Sequence, residues 1–300
     1  MMTPEVSVIV PTYNRRAMVC EAIDSVLAQS FREFELIVID DGSTDGTVEH
    51  LASLDETTRI EHTEHRGPAA ARNRGVEMAR APLIAFLDSD DFWAPTKLER
   101  QLAFMRDNPD CAISQTNEIW IRHGRRVNPG LRHRKRGGDI FIDSLRTCLI
   151  SMSAAMMRTD LFRSLGGFDE SMDAAEDYDL WLRILIDREA GLLDEPLVTR
   201  RGGHADQTSA TTPAIDRFRI LALAKLLADD RLSPARRTAV AEVLAEKCRI
   251  YAGGLARRGR IDQARFYEGV ADQAQNWQAA EIGCAVESMR SMLTEIAHGC

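Results

Sequence analysis

A chain of 300 residues with 44% hydrophobic and 28% charged side chains holds enough apolar material for a sizeable core, which excludes a disordered protein. A net charge of −8 excludes a general nucleic-acid binder, which needs a basic face to displace counterions from phosphates. The six cysteines (Cys20, Cys111, Cys148, Cys248, Cys284, Cys300) are scattered without a C-x-x-C pair, so they fit neither a zinc site nor a disulfide framework, and a reducing compartment is expected.

The first hundred residues alternate β-branched runs with helical patterns. "VSVIV" (Val6 to Val10) is followed by a helix in which Met18, Ala22 and Val26 recur at four-residue spacing beside Ile23 and Leu27. Then come "ELIVID" (Glu35 to Asp40), a helix around 44–54, a short strand near Ile60, a helix around 69–79 and "LIAFLD" (Leu83 to Asp88). Continuous apolar strands separated by amphipathic helices predict an α/β fold: a Rossmann-like, mostly parallel central sheet flanked by helices and joined by right-handed crossovers.

Lys97 to Arg106 reads as another helix and Cys111 to Ile121 as a strand. "RHGRRVNPGLRHRKRGG" (Arg122 to Gly138) is either a long loop or a hairpin with charge at its tip. As a solvated segment it needs no partner. As a surface, 122–136 suits a phosphate-bearing acceptor or anionic lipid, the latter by peripheral contact at the inner face of a membrane. "SMSAAMMR" (Ser151 to Arg158) resumes as a strand, followed by a helix near 160–165, the turn "GGFDE" (Gly166 to Glu170) and a helix starting near Glu176.

After Pro213 strands vanish, and apolar residues recur at helical spacing in 215–227, 236–251, 262–274 and 279–296. The expected organisation is 1–212 as one α/β domain, with halves 1–95 and 96–212, and 213–300 as an all-helical C-terminal appendage. That appendage caps a site, forms a homo-oligomer or binds a partner; nothing in its pattern selects among these. No apolar run approaches the 18 or so residues of a spanning helix, and the first strand leaves no room for a signal peptide, so a cytoplasmic protein is expected.

Ligands of an open parallel sheet bind beyond the carboxyl ends of its strands. The three clearest strands end in polar clusters: "PTYNRR" (Pro11 to Arg16), "DDGSTD" (Asp40 to Asp45) and "DSDD" (Asp88 to Asp91). These should share one edge. Alone, "DDGSTD" reads as a strand end, a turn and a helix cap. In "DSDD", the spacing of Asp88 and Asp90 puts both on one side of an extended segment, suited to hard oxygen ligation of Mg2+ or Mn2+, while Asp91 reads as a helix-start residue. "AED" (Ala175 to Asp177) is a helix start whose acids complement the dipole. Trp181 has core-facing spacing, Phe92 and Trp93 suit core or cleft wall, and His204 alone reads as a surface or packing residue. G-x-G-x-x-G and G-x-x-x-x-G-K-[ST] are absent, which disfavours dinucleotide enzymes and P-loop kinases.

Together "VSVIVPTYNR", "FELIVIDDGSTDGT", "GPAAARNRGVEMA", "LIAFLDSDDFWAPTKLERQ", "GGFDE" and "AEDYDLWLR" resemble the inverting family 2 glycosyltransferases of the GT-A fold, within the nucleotide-diphospho-sugar transferases. The resemblance runs from about Val6 to Ser209. It implies a metal-dependent transfer from a nucleotide-diphosphate sugar, foremost a UDP-sugar, to a saccharide, lipid-linked or protein hydroxyl, in cell-envelope polysaccharide, lipopolysaccharide or glycoconjugate synthesis. By that resemblance Pro11, Thr12, Tyr13, Arg15, Asp41, Arg72, Asp88, Ser89 and Asp90 bind the nucleotide sugar: Pro11 and Tyr13 line the base, Asp41 hydrogen-bonds it, Asp88 meets the ribose or sugar, and Arg72 or Arg66 contacts the nucleotide. Asp90, with Asp88 and His204, holds the Mn2+ or Mg2+. Asp177 is the general base, with Glu176 and Trp181 on the acceptor side.

The physical logic agrees. A departing nucleotide diphosphate gathers charge that a cation stabilises, and a single inverting displacement needs one base for the acceptor hydroxyl. A sugar-phosphate nucleotidyltransferase is the first rival, but the place of its Gly-rich loop holds "PTYNRR". A sugar-nucleotide-binding scaffold without turnover is the second, and intact Asp41, Asp88, Asp90 and Asp177 speak against it.

Overall fold

The computed structural model describes residues 3–54, 58–204, 212, 214–276 and 279–297. Ser209, Pro213 and Cys300, which mark the end of the resemblance, the change of pattern and the last cysteine, lie outside them. The first half runs β1 (Val6–Thr12), α1 (Arg16–Leu27), β2 (Phe34–Asp40), α2 (Thr47–Leu51), β3 (Thr58–His62), α3 (Pro68–Met78), β4 (Leu83–Phe86), β5 (Phe92–Trp93) and α4 (Lys97–Asp107). There follow β6 (Ile113–Arg122), β7 (Arg125–Val127), α5 (Phe141–Ser144), β8 (Ala155–Arg158), α6 (Thr159–Ser164), α7 (Glu176–Leu185) and β9 (Ala190–Gly202). The helical region holds α8 (Asp216–Leu227), α9 (Pro234–Arg257), α10 (Ile261–Asn276) and α11 (Ala279–Ala297).

Every residue of β1 is buried, because the strand is covered on both faces. Val6, Val8 and Val10 pack with Val19, Ala22, Ile23 and Val26 of α1, while Ile9 packs on the other side with Ala69, Ala71 and Val76 of α3. The alternation of β1 thus feeds two cores. At Gly75, an added Cβ would stand 2.4 Å from Ile9 Cγ2, so α3 lies on β1 more closely than any other residue permits.

The sheet order is β3-β2-β1-β4-β8-β6-β9-β5, with β7 paired to β6. Pairing is parallel through β3, β2, β1 and β4, which brings the ends of β1, β2 and β4 to one edge as expected. β8 then enters antiparallel to β4 and β6, whereas β6 and β9 run parallel. Residues 92–93 and 190–202 carry no strand pattern in the sequence, whereas 125–127 is the return strand of the hairpin that is one reading of the basic stretch. In β9 the cause is visible: the pairing register shifts opposite Asn117, around Pro196, so no clean alternation survives in "AGLLDEPLVTRRG".

The basic stretch begins as a hairpin turned at His123 and Gly124, with φ of 48° and 73°, the positive-φ pair of a tight hairpin turn. Its charge is not all at the tip. Lys135 is buried, donating from Nζ to the Leu149 carbonyl (2.9 Å) and Ser151 Oγ (2.6 Å), and Arg136 pairs with Asp143 at 2.6 Å. Both leave the set of cations available to a membrane or an acceptor. Arg122, Arg125, Arg126, Arg132 and Arg134 remain exposed.

The helical region shares the core of the sheet. α8 is buried almost all round, through Phe218, Ile220, Leu221, Leu223, Leu226 and Leu227, which marks a central helix between other layers. One apolar cluster runs from Ile9 and Phe86 through Trp181 to Phe218, Leu244, Val270 and Leu293. Lys225 of α8 adds polar ties to Asp169 (2.6 Å) and Asp179 (2.7 Å). No helix among the described residues is long and apolar enough to cross a membrane.

Candidate active site

The loops after β1 and β2 are fastened to each other. Asn14, held at φ 50°, donates its N–H to Ser43 Oγ (2.8 Å), and its Oδ1 accepts from the Thr44 N–H (2.7 Å). Asp40 and Asp45 serve local structure, accepting from the Ser43 N–H (3.0 Å) and the Thr47 N–H (3.1 Å). Asp41 faces the cleft, and its carboxylate also accepts from the N–H groups of Arg66 (2.8 Å) and Gly67 (2.9 Å) and from His65 Nδ1 (2.8 Å). It thereby anchors the 65–67 loop, a duty the sequence did not reveal. That anchoring stacks the His65 ring on Tyr13 at 3.9 Å and 14°, giving one flat aromatic face at the cleft margin.

The third cluster divides by burial. Asp88 Oδ1 accepts from Arg72 Nη2 (2.7 Å). Asp90 Oδ2 lies 2.9 Å from His204 Nε2 and 3.1 Å from Arg15 Nη1, so the predicted partners converge. Asp91 corrects the reading: it precedes β5 rather than a helix, is buried, and accepts from Ser153 Oγ (2.6 Å) and the Arg201 N–H (3.0 Å). One ligand atom from each of Asp88, Asp90 and Asp91 falls within 4.8 Å of the others. Burial, then the charges of Asp90 and Asp88, push the Asp91 carboxyl well above the usual range against the pull of Arg200. Three hard oxygen donors whose mutual repulsion is incompletely relieved form a donor set that fits a divalent cation.

α7 supplies the other end. Ala175 stands before its first turn at φ 60° and ψ 21°, a left-handed conformation uncommon for a non-glycine residue and frequent where a site over-determines the backbone. It aims Glu176 and Asp177 differently. Glu176 is buried and accepts from Arg72 Nη1 at 2.5 Å; burial and Asp177 raise its pKa while Arg72 opposes them. Asp177 is half-buried and lines the cleft, with Oδ2 at 3.5 Å from Cys148 Sγ.

Together these residues line a cleft of ≈ 840 Å³. Pro11, Thr12, Tyr13, Arg15, Arg72, Ser89 and Glu176 all border it, whereas His204 is not among the lining residues and meets the site through Asp90. Two expectations fail. Trp181 is 2% exposed and packs edge-on against Phe168 in the core, so it cannot touch an acceptor. Arg66 pairs with Glu170 at 2.6 Å and does not border the cleft, which leaves Arg72 as the arginine of that pair in the site. Trp93 is also core, donating from Nε1 to the Ser153 carbonyl at 2.8 Å. The sequence missed Trp120, His133, Cys148, Arg200, Ile215 and Arg219, all of which line the cleft. The last two come from the helical region, so that region closes part of the site.

Comparison with known proteins agrees with this geometry. The profile of "Glycosyl transferase family 2" matches residues 7–166. An uncharacterized glycosyltransferase of Rickettsia felis is 38% identical over 195 residues, covering 64% of this chain and 32% of that protein. One of Rickettsia typhi is 30% identical over 224 residues, covering 73% of this chain and 70% of that protein. The chain thus spans about a third of the first relative's length and over two thirds of the second's. Among solved structures, S. aureus TarS 1–349 in complex with UDP-GlcNAc superposes with a TM-score of 0.62 at 20% identity, over 91% of this chain and 93% of that one. The mannosyltransferase PcManGT of Pyrobaculum calidifontis, in complex with GDP-Man and Mn2+, gives 0.55 at 20% identity, over 92% and 88%. These likenesses show a shared GT-A-type fold, and the profile match over more than half of the residues shows more: the chain belongs to glycosyl transferase family 2.

Proposed function

We propose that this protein transfers a sugar from a nucleotide-diphosphate donor, a UDP-sugar, to a hydroxyl of an acceptor by a single inverting displacement. The observation that carries the reading is the presence, in one cleft, of a three-carboxylate cluster at the end of β4 and a separate half-buried carboxylate, Asp177, on α7. The nucleotide sugars bound to TarS and PcManGT support the donor class. In this reading residues 1–95 bind the donor and 96–212 receive the acceptor, while 213–300 completes the acceptor side through Ile215 and Arg219.

Each residue has a defined task. The Tyr13–His65 face stacks the base, and Asp88 accepts from a ribose or sugar hydroxyl while Arg72 holds its carboxylate in place. Asp90, with Asp88, holds the divalent cation, and His204 and Arg15 orient Asp90. Bound there, Mn2+ or Mg2+ supplies positive charge against the diphosphate that leaves. Asp177 takes the proton of the acceptor hydroxyl on the face opposite the leaving group, and the burial of Glu176 against Arg72 fixes the helix start that presents it.

A thermal-shift screen of nucleotide sugars with and without Mn2+ tests this, since a ligand at 100 times its Kd stabilises the native state by about 2.7 kcal/mol. A UDP-sugar with Mn2+ should raise Tm, and Asp90→Asn should abolish the cation-dependent part. Absence of any rise with every nucleotide sugar would sink the reading.

A further inference from the structure

One wall of the cleft is left unused by the donor and base residues. Trp120, near the end of β6, donates from Nε1 to Glu118 Oε1 (2.6 Å), which locks the indole. Around its ring lie the guanidinium carbons of Arg200 (5.2 Å) and Arg122 (5.6 Å) and the imidazole of His133 (5.2 Å). All four border the same cleft as Asp177. A guanidinium held over an aromatic face keeps its N–H fork free for an oxyanion, with little entropy left to lose.

Around His133 cations outweigh the one carboxylate, although Arg200 itself also feels the charges of Asp88 and Asp177. Glu118 stands 3.6 Å from Arg200 and 3.5 Å from Lys135, so one carboxylate faces two cations. Asp91, at 4.0 Å, meets Arg200 from the donor side. Arg122 is exposed and makes no ion pair among the described residues. His133 reports the excess: burial, then Arg132, Arg200 and Lys135, lower its pKa, and Glu118 only partly offsets them. The neutral ring is therefore favoured. Arg132 Nε donates to His133 Nε2 (3.0 Å), which puts the neutral ring's proton on Nδ1.

The path from the base to this wall is continuous. Thr147, Cys148, Ile150, Ser151 and Met152 all line the cleft. Cys148 touches Asp177 at one end of that segment, and at the other Ser151 Oγ accepts from Lys135 (2.6 Å) and lies 3.4 Å from Arg200 Nη1. An acceptor whose hydroxyl sits at Asp177 and whose body follows this segment arrives at Arg200, Arg122 and His133.

We propose that this wall is a subsite for an anionic group, phosphate or carboxylate, carried by the acceptor beside the hydroxyl that Asp177 deprotonates. The inference rests on the glycosyl-transfer reading and deepens it by naming the acceptor's chemical class. Arg200 and Arg122 grip the oxyanion, and the Nδ1–H of His133 adds a third donor.

Calorimetric titration tests it in arms that separate the two claims. UDP with Mn2+ comes first, and failure of wild-type protein to bind it overturns the transfer reading itself. With UDP saturating the donor end, glucose 6-phosphate, glucuronate and glucose are titrated in turn. At least one anionic sugar should bind at least tenfold more tightly than glucose, and which one does so identifies phosphate or carboxylate. Arg122→Gln, a change at an exposed position, should weaken that binding at least fivefold, and the bound anion should raise the pKa of His133 followed by NMR. Equal affinity for all three sugars, or an anion preference untouched by Arg122→Gln, overturns the proposal. So does Arg122-dependent sedimentation with phosphatidylglycerol vesicles in the absence of sugar selectivity, which would assign the cations to a lipid surface.

Discussion

Arg72 and Glu176 form a buried ion pair, Nη1 to Oε1 at 2.5 Å, that ties α3 to the first turn of α7. The same guanidinium holds Asp88 through Nη2, so one residue fixes the distance between the donor carboxylates and the helix of Asp177. Removing it leaves Glu176 buried without a counter-charge, and breaking a buried pair costs about 3–5 kcal/mol. Arg72→Met should lose that much in denaturant unfolding, and Arg72→Met with Glu176→Gln should recover part of it. A double-variant loss equal to the sum of the two single losses would show that the pair is not coupled.

Ala175 stores backbone strain where α7 begins. A non-glycine residue in the left-handed region costs about 1 kcal/mol, which glycine does not incur. Ala175→Gly should therefore raise stability slightly or leave it unchanged, while transfer falls several-fold because the aim of Asp177 loosens. A stability loss above 1 kcal/mol, read by urea titration, would mean that the side chain's packing matters more than its φ.

Cys148 should be a slow thiol. Burial, then the adjacent Asp177 charge, push its pKa well above the usual value, whereas Cys284 is exposed. Iodoacetamide at pH 7 should modify Cys284 first, and mass spectrometry should show transfer lost in proportion to labelling at Cys148. Full activity after complete modification there would separate Cys148 from the base.

Asp169 links the "GGFDE" turn to the helical region through Lys225 (2.6 Å) and Arg290 (2.9 Å). Burial alone would raise its pKa, but the hydrogen bonds from Lys225 and Ser171 hold the carboxyl well below the usual range. A depressed folded pKa stabilises the protein above the unfolded value of about 3.9, and that stability disappears as pH falls through the folded value. Asp169→Asn should cost about 2 kcal/mol at pH 7, with the deficit shrinking below pH 4. A deficit independent of pH would assign the loss to packing.

Much of this architecture was legible in the chain. The β-branched runs of β1, β2 and β4 are buried on both faces, so they stand out as apolar blocks, and each ends in polar residues that the parallel pairing carries to one edge. Asp90 and His204 are 114 residues apart and still meet. What stayed hidden depends on tertiary crossing. β9 lacks alternation because of its bulge, so Arg200 and Arg201 were invisible as wall residues. Cys148 carries no local signal at all. Asp91 reads like any turn aspartate until β9 and the 152–154 turn close over it.

The most direct measurement compares donor binding and transfer in Asp177→Asn. That variant keeps the side-chain volume, the Arg72–Glu176 pair and the carboxylate cluster, but removes the proton acceptor. Removing a general base costs typically 10²–10⁴-fold in rate. Wild-type affinity for a UDP-sugar with Mn2+, together with transfer reduced by about a thousandfold or more, is the predicted result. Transfer at the wild-type rate would contradict the assignment of Asp177 as the base.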